Sequence, residues 1–336
     1  MTASAQTGLP SSESTPVTAL RRPPHLVHDG YVFRSVVFVV IGLFLYAMAY
    51  AASEGLVYRY GEKNRFFAVK TARLANYDFV ILGASHAMPL GFEDMNDHLQ
   101  EVTGANVLNL STAGAGIVLN RILLDYFLTG HKTKNVLYVI DSFVFYSAEW
   151  NEERLRDARL YLRAPFDPGL AAILFRWHWP TALSYVSGFA KINNEKRFER
   201  DINEDEAMRF GFAYRPNPMI DKRRMKYLYP EKVELQTFGK YFNQFEEMAK
   251  ELRKRGIRLI VIKPPLPEYV YEMIPGEDDF DRKLKTLLDQ YGAPLYDFTH
   301  ANNAEGLFYN TDHLNRAGTR SFIDGYLKNV LRRYER

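Results

Sequence analysis

A serine and a histidine that lie far apart in this sequence have the types and the surroundings to do chemistry together. Ser85 ends the apolar run FVILGAS, and His313 lies near the C-terminus in the run YNTDHLN. An apolar run that ends in glycine, a small residue and serine is typical of a strand that delivers a nucleophile to the carboxyl edge of a parallel sheet. A serine nucleophile needs a base within hydrogen-bond reach, and a late loop histidine can supply one. The pair therefore predicts nucleophilic catalysis through a serine.

The residues that follow Ser85 allow two interpretations. A helical stretch begins just after it, and backbone N–H groups at a helix N-terminus favour a developing negative charge. The alternative is a serine that only caps this helix or closes a turn. His86 is adjacent to Ser85. Because neighbouring side chains rarely reach each other, we interpret His86 as lining the pocket rather than as the base.

Short apolar runs alternate with amphipathic stretches from residue 77 onward, which predicts an α/β fold of three layers (α/β/α, flavodoxin-like) with a central parallel sheet. About five strands are expected, at residues 79–83, 107–110, 136–140, 258–262 and 294–298. Helices are expected at residues 92–103, 117–129, 236–255, 278–291 and 317–333. An insertion at about residues 142–235 interrupts this alternation after the third strand.

The N-terminal part divides into three predicted segments. Residues 1–30 are rich in Ser, Thr, Ala and Pro and are expected to form a disordered tail. Residues 33–53 are apolar enough for one N-terminal transmembrane helix, and residues 54–76 form a juxtamembrane connector to the domain at residues 77–336. One membrane crossing is therefore predicted.

Basic residues set the predicted orientation of this anchor. Arg21, Arg22 and Arg34 precede or begin the apolar segment. By the positive-inside rule the tail is cytoplasmic, and the domain lies in the periplasm of a cell whose inner membrane holds the anchor. The alternative is a cleaved signal peptide, since residues 47–49, Ala-Met-Ala, resemble a cleavage site.

Composition excludes several classes of protein. The 43 basic and 40 acidic residues are interspersed, and their net charge of +3 does not indicate a nucleic-acid surface. The chain has no cysteine, which excludes disulfides, thiolate metal sites and a cysteine nucleophile. The Gly-Ala-Gly at residues 114–116 matches neither a dinucleotide-binding loop nor a P-loop. We expect no cofactor and no metal.

The blocks around these residues resemble those of the SGNH, or GDSL-type, hydrolase superfamily of serine esterases and acyltransferases. Gly-Ala-Ser at 83–85 stands where the family has Gly-Asp-Ser, and NLSTAG at 109–114 resembles its second block. The resemblance implies that Ser85 is the nucleophile and first oxyanion donor, and that Gly114, or less favourably Gly116, is the second donor. The histidine of the block DHLN, His313, would be the general base.

Two positions depart from the family pattern. The third-block asparagine is missing after residue 140, so the third oxyanion donor would be Ser142 or a residue of the insertion. Asn310 stands where the family has the aspartate that orients the histidine. An amide supplies only part of that function. Asp312 is the nearest substitute, if a turn brings it to His313, and Asp141 is another.

The insertion contains all three tryptophans of the chain, Trp150, Trp177 and Trp179. They stand among Arg154, Arg156, Arg159, Arg163 and Arg176. Such a set suits a cleft that stacks sugar rings and pairs with acidic groups of a polymer. Ordinary core packing and solvated helix faces explain the same residues equally well.

These features predict a serine-dependent acyl esterase or acyltransferase, with acetyl as the expected group, that acts on a cell-envelope or exported polysaccharide. Its expected partners are the carbohydrate polymer, the membrane, and a membrane-bound acyltransferase or polymer synthase, but no nucleic acid. The alternative is a catalytically silent SGNH-like subunit that binds or scaffolds in an envelope-polymer assembly. A third interpretation is an unrelated α/β domain that resembles the family by chance.

Overall fold

The computed structural model describes residues 24–192, 200–232 and 234–335. Most of the predicted N-terminal tail lies outside these residues. Helix α1 begins at Pro24, inside the segment predicted as a tail, and continues to Tyr60. Contacts divide the chain into two compact units, residues 1–49 and residues 50–336.

The larger unit is built on one sheet of five parallel strands, and the predicted α/β class is confirmed. The strands are β1 (Asn76–Gly83), β2 (Val107–Asn109), β3 (Lys132–Val139), β4 (Arg258–Lys263) and β5 (Leu295–Asp297). Their order across the sheet is β2-β1-β3-β4-β5. The chain therefore moves outward from β1 to β2 and then returns past β1 to continue on the other side. The predicted strands agree with these to within a few residues at each end.

Fifteen α-helices lie in the described part of the chain. They are α1, α2 (Arg65–Lys70), α3 (Met95–Thr103), α4 (Ile117–Gly130), α5 (Arg159–Leu162), α6 (Pro168–Trp177), α7 (Trp179–Val186), α8 (Phe189–Ile192), α9 (Ile202–Ala207), α10 (Pro218–Leu228), α11 (Leu235–Lys254), α12 (Glu268–Tyr271), α13 (Glu277–Tyr291), α14 (Arg316–Phe322) and α15 (Lys328–Arg332). Short 3₁₀ segments occupy Ser85–Gly91, Ser142–Phe145 and Glu305–Leu307, and π-helical segments occupy Glu149–Glu153 and Ile323–Leu327.

Side chains of β1 point alternately to the two faces of the sheet, and helices cover each face. Val80 and Leu82 of β1 pack in the apolar cluster that contains the buried faces of α4, α11 and α13. Phe79 and Ile81 pack in the opposite cluster with α3, α14 and α15. Successive side chains of a strand point to opposite faces, so a strand buried on both faces reads as a continuous apolar run. This is the run that precedes Ser85.

The N-terminal helix contains one stretch that is long and apolar enough to cross a membrane. It covers Gly30–Tyr60, 31 residues in which an 18-residue window has a mean hydropathy of 2.2, and includes the predicted segment at 33–53. A signal sequence near the N-terminus can meet the same criteria of length and composition. The predicted anchor thus lies on a helix of suitable length, while its orientation stays a prediction.

A glycine at the end of β1 lets this strand approach β3 closely. Gly83 has φ +146°, and a Cβ there would lie 2.7 Å from the backbone oxygen of Val139. Any side chain at position 83 would push the two strands apart. The same glycine donates its N–H to Oδ1 of Asn120 on α4, at 3.0 Å. These contacts fix the chain just before Ser85.

Candidate active site

The candidate site lies at the carboxyl ends of β1 and β3, where the strand order reverses. Gly83 and Val139 are paired in the register of these strands, so both strands end at the same level. Ser85 follows β1 and Asp141 follows β3. In open α/β sheets, ligands bind outside the carboxyl ends of the strands at such a reversal. The loop at residues 309–315, just before α14, contributes the remaining predicted residues.

Ser85 begins the 3₁₀ segment and lines a cleft of about 230 Å³. The other lining residues are Ala113, Gly114, Phe143, Trp150, Arg154, Arg159, Asp205, Glu206, Arg224, Tyr227 and Leu228. Most of them come from the insertion. The structure thus brings Ser85, Gly114 and Trp150 of the predicted site together in one cleft.

Backbone hydrogen bonds distinguish the two glycines considered as oxyanion donors. The N–H of Gly116 donates to the backbone oxygen of Trp150 at 2.7 Å and is therefore occupied. The N–H groups of Ser85 and Gly114 donate no hydrogen bond within the described residues. Gly114 has φ +63°. Asn203 Oδ1 accepts the N–H of Ala113 at 3.1 Å and so holds the loop that contains Gly114. The unpaired N–H of Gly114 is available to a ligand.

His313 is fully buried, and the Nδ1 edge of its ring lies beside two side-chain oxygens. Its Nδ1 lies 2.9 Å from Oδ1 of Asn310 and 2.8 Å from Oδ1 of Asp312. Oδ1 of Asn310 also accepts the backbone N–H groups of Asp312 and His313, which identifies it as the amide oxygen. An amide oxygen can only accept, so the bond to Asn310 places a proton on Nδ1, and Nε2 is the ring nitrogen left to exchange a proton.

Nε2 of His313 has no hydrogen-bond partner among the residues that the structure describes. It is therefore not bonded to Ser85 Oγ. Catalytic hydrogen bonds are commonly long or unformed before substrate binds. His86, the residue after the serine, stacks on the His313 ring, so that the two rings lie face to face.

Asp312 is a buried carboxylate with positive groups on several sides. Its Oδ2 lies 3.0 Å from Nε of Arg224 and 3.4 Å from Nε2 of His86. Burial alone would raise the pKa of Asp312, but Arg224, His313 and His86 together hold it well below its usual value. Asp312 is thus an anion beside His313. The turn at residues 310–313 brings Asp312 to His313, as expected from the sequence for a substitute carboxylate.

His86 is more than a lining residue, because it connects two carboxylates. Its Nδ1 lies 2.7 Å from Oδ1 of Asp141, and its Nε2 faces Asp312. Burial would lower the pKa of His86, but Asp141 and Asp312 outweigh burial and raise the pKa to about 10. His86 is therefore an imidazolium at neutral pH. Asp141, expected as an alternative partner of His313, pairs with His86 instead.

Arg224 is a site residue that sequence reasoning missed. It lies on α10 in the insertion and contacts Asp312 from the cleft side. In the sequence it belongs to the run DKRRMKY, which looks like a solvated helix face. No local pattern distinguishes Arg224 from its neighbour Arg223, so only the placement of α10 reveals its contact.

Ser142 does not face the cleft that contains Ser85. Its hydroxyl shares a hydrogen bond with Tyr229 at 2.8 Å. It lines a separate cavity of about 20 Å³, enough for about one water, together with His86, Asp141 and Lys263. Of the candidates for a third oxyanion donor, only insertion residues line the cleft.

The three tryptophans occupy different places. Trp150 is buried against the cleft, with Cζ3 3.2 Å from a Cβ built on Gly114. Trp177 packs at the edge of the core, where the guanidinium of Arg121 lies 5.4 Å from its ring centre. Trp179 begins α7 and is 64% exposed. Only Trp150 lines the cleft beside Ser85.

The cluster also contains donor atoms close enough to bind one metal ion. Ligand atoms of His86, Asp312 and His313 lie within 4.8 Å of one another. However, Asp312 already faces two positive groups, Arg224 and the His86 imidazolium. An imidazolium cannot be a ligand until it loses its proton. The charge balance therefore favours the cluster as an orienting network for His313.

No family model matches the sequence, and neither does any curated protein. One solved structure that this chain matches is a protein assigned as an acylhydrolase from Bacteroides fragilis NCTC 9343, at 9% identity and a TM-score of 0.35. The match covers 79% of this chain and 90% of that one.

A second is a protein assigned as a platelet-activating factor from Streptococcus pneumonia, at 14% identity and a TM-score of 0.39. That match covers 85% of this chain and 99% of the other. Both likenesses are too distant to carry an argument about function, which rests on the site itself.

Proposed function

We propose that this protein is a membrane-anchored serine acyl esterase or acyltransferase of the SGNH type. Ser85 is the nucleophile, His313 is the general base, and Asn310 and Asp312 orient that base. The N–H groups of Ser85 and Gly114 bind the oxyanion. The acyl group, taken here as acetyl, is carried by a polysaccharide of the cell envelope or by an exported one.

The observation that carries the proposal is the fixed tautomer of His313. Asn310 Oδ1 accepts the hydrogen bond of Nδ1–H, and the Asp312 carboxylate lies 2.8 Å from the same nitrogen, so Nε2 is the ring nitrogen that can take a proton. The Asp312 carboxylate stabilises the imidazolium that forms, as in other hydrolytic triads. The missing family aspartate is thus replaced by two residues: Asn310 holds the tautomer, and Asp312 provides the charge.

The reaction follows from these positions. Ser85 Oγ attacks the ester carbonyl while its proton passes to Nε2 of His313. The new oxyanion accepts hydrogen bonds from the two unpaired N–H groups. Collapse of this intermediate gives acyl-Ser85, and the leaving alcohol takes the proton from His313. Water then attacks the acyl group in an esterase, and a sugar hydroxyl attacks it in a transferase.

A polymer substrate is supported by the position and lining of the cleft. Insertion residues form most of its wall, including Trp150 and Tyr227, whose rings meet edge to face at 5.1 Å. Aromatic and arginine side chains are suited to sugar rings with acidic substituents. The apolar helix Gly30–Tyr60 would hold such a domain at a membrane, facing the periplasm if the basic residues before it stay inside.

The test uses the full chain purified in detergent. Wild type is expected to hydrolyse p-nitrophenyl acetate and to be labelled at Ser85 by a fluorophosphonate, and Ser85→Ala is expected to do neither. Ser111→Ala is a matched control, because Ser111 is buried and bonded to Asn109 outside the cleft. Equal hydrolysis by wild type and Ser85→Ala, or no labelling of Ser85, would remove the enzyme proposal. The same outcome would favour the catalytically silent binding subunit.

A further inference from the structure

We propose that Arg154, a residue of the insertion, is the third oxyanion donor of this site and acts through its Nε–H. The inference rests on the proposed function and names a catalytic group that replaces the missing third-block asparagine. Arg154 lines the same cleft as Ser85 and Gly114.

The hydrogen bonds of Arg154 leave one donor unused. Nη2 donates to the backbone oxygen of Ala113 at 2.5 Å, and Nη1 donates to Oδ2 of Asp157 at 3.0 Å. Nε is buried and has no partner among the described residues. Leaving a buried donor without an acceptor is costly, so such a group indicates a ligand atom that binds there.

Nε of Arg154 lies next to the second oxyanion donor. A Cβ built on Gly114 would be 3.4 Å from this nitrogen. Because Nη2 is bonded to the residue before Gly114, the guanidinium is held beside the backbone that presents the Gly114 N–H. Two N–H donors of different origin therefore lie close together in the cleft that Ser85 also lines.

Hydrogen bonds within the protein hold the segment that immediately precedes Arg154. Arg154 directly follows the π-helical segment Glu149–Glu153, and π-helical turns are frequent at functional sites. The Trp150 carbonyl of this segment accepts the N–H of Gly116, and Asn151 bonds the backbone of Val118, Val144 and Ser147. Such preorganised donors stabilise the charge that develops in the transition state.

An oxyanion donor affects kcat, whereas a residue that binds the polymer affects KM. We expect Arg154→Ala, in the full chain with p-nitrophenyl acetate, to lower kcat by about 10²–10³-fold with little change in KM. Methylguanidine added to Arg154→Ala should restore about tenfold of the lost kcat, while methylammonium should not, because an ammonium lacks the fixed fork of a guanidinium. Arg176→Ala is the control, because Arg176 lies on α6 and is exposed.

Arg154→Lys is a second test if Arg154→Ala does not fold. It retains the charge but cannot place an N–H at the Nε position, so kcat should fall without a large change in melting temperature. Wild-type kcat in either variant, or a rise in KM alone, would overturn the assignment of Arg154. Absence of Ser85-dependent hydrolysis in the wild type would instead remove the proposed function, and the inference with it.

Discussion

The imidazole rings of His86 and His313 stack with their centroids 4.4 Å apart and 19° between their planes. One ring is a cation that pairs with Asp141 and Asp312, and the other has its Nδ1 beside the same Asp312. His86, the residue next to Ser85, thus helps to hold the carboxylate that lies beside His313. Two carboxylates, Asp141 and Asp312, and two cations, His86 and Arg224, lie together around His313.

We expect Asp312→Asn to lower both activity and stability. The change leaves Arg224 and His86 without their shared anion, and removing one partner of a buried ion pair costs about 3–5 kcal/mol. The imidazolium of His313 also loses its counter-ion, so kcat should fall by about 10²–10³-fold, less than in enzymes where the same aspartate alone fixes the tautomer. Ester hydrolysis and thermal unfolding measure the two effects.

Asp324→Asn is the matched control for this prediction. Asp324 also pairs with a histidine, His98, but its side chain is 43% exposed and lies on the π-helical segment between α14 and α15. Exposed pairs contribute about 1 kcal/mol or less. If Asp312→Asn retained the kcat of Asp324→Asn, Asp312 would not orient the base.

Two substitutions at Asn310 distinguish the effect of a hydrogen-bond acceptor on kcat from the effect of a negative charge. Asn310→Ala removes the oxygen that accepts from His313 Nδ1 and from two backbone N–H groups, so kcat should fall by at least about tenfold. Asn310→Asp keeps the acceptor and should stay within about tenfold of wild type, despite a second carboxylate near Asp312. The measurement is the steady-state kcat of both variants compared with that of wild type. Equal loss in both would show that the tautomer does not depend on the oxygen at position 310.

The raised pKa of His86 predicts a loss of stability at alkaline pH. The folded pKa of about 10 exceeds the ordinary value of 6.5, so the protonated ring stabilises the fold fully below pH 6.5. This contribution declines as the pH rises from 6.5 through 10. The shift corresponds to on the order of 5 kcal/mol, at about 1.4 kcal/mol for each pKa unit.

Thermal unfolding at pH 7 and pH 10 tests this expectation. The melting temperature of wild type should fall more between the two values than that of His86→Gln, which has no titrating ring between Asp141 and Asp312. Other basic and phenolic groups titrate in both proteins and cancel in the comparison. Parallel curves for the two proteins would mean that His86 is not an imidazolium in the folded state.

A methyl group at Gly114 should reduce catalysis. An alanine there would adopt φ +63° and place its Cβ 3.2 Å from the Trp150 ring, which would have to move in the wall of the cleft. Left-handed backbone costs other residues about 1–2 kcal/mol. Gly256→Ala is the control, because Gly256 has φ +70° and no atom within 4 Å of the added Cβ. Gly114→Ala should therefore lose more kcat than Gly256→Ala for a comparable change in melting temperature.

Much of the fold follows from local patterns in the chain. The run before Ser85 is apolar at every position because both faces of β1 are covered, and the amphipathic stretch of α11 shows where one covering helix lies. The last helix, predicted as continuous at residues 317–333, begins and ends close to the predicted residues, but the π-helical segment Ile323–Leu327 divides it into α14 and α15. Such a bulge depends on packing against its neighbours and leaves little trace in hydrophobic periodicity.

By itself, the sequence determined the α/β class, the apolar N-terminal helix and the candidates Ser85, Gly114 and His313, because strand alternation and short blocks are local in the chain. Only the tertiary structure decided which ionisable groups meet. His86 meets Asp141 and Asp312, Arg224 reaches Asp312 from α10, and the Nε–H of Arg154 is unpaired beside Gly114. The physical reason is that burial and charge at these groups depend on contacts between segments that lie far apart in the sequence, which no local pattern records.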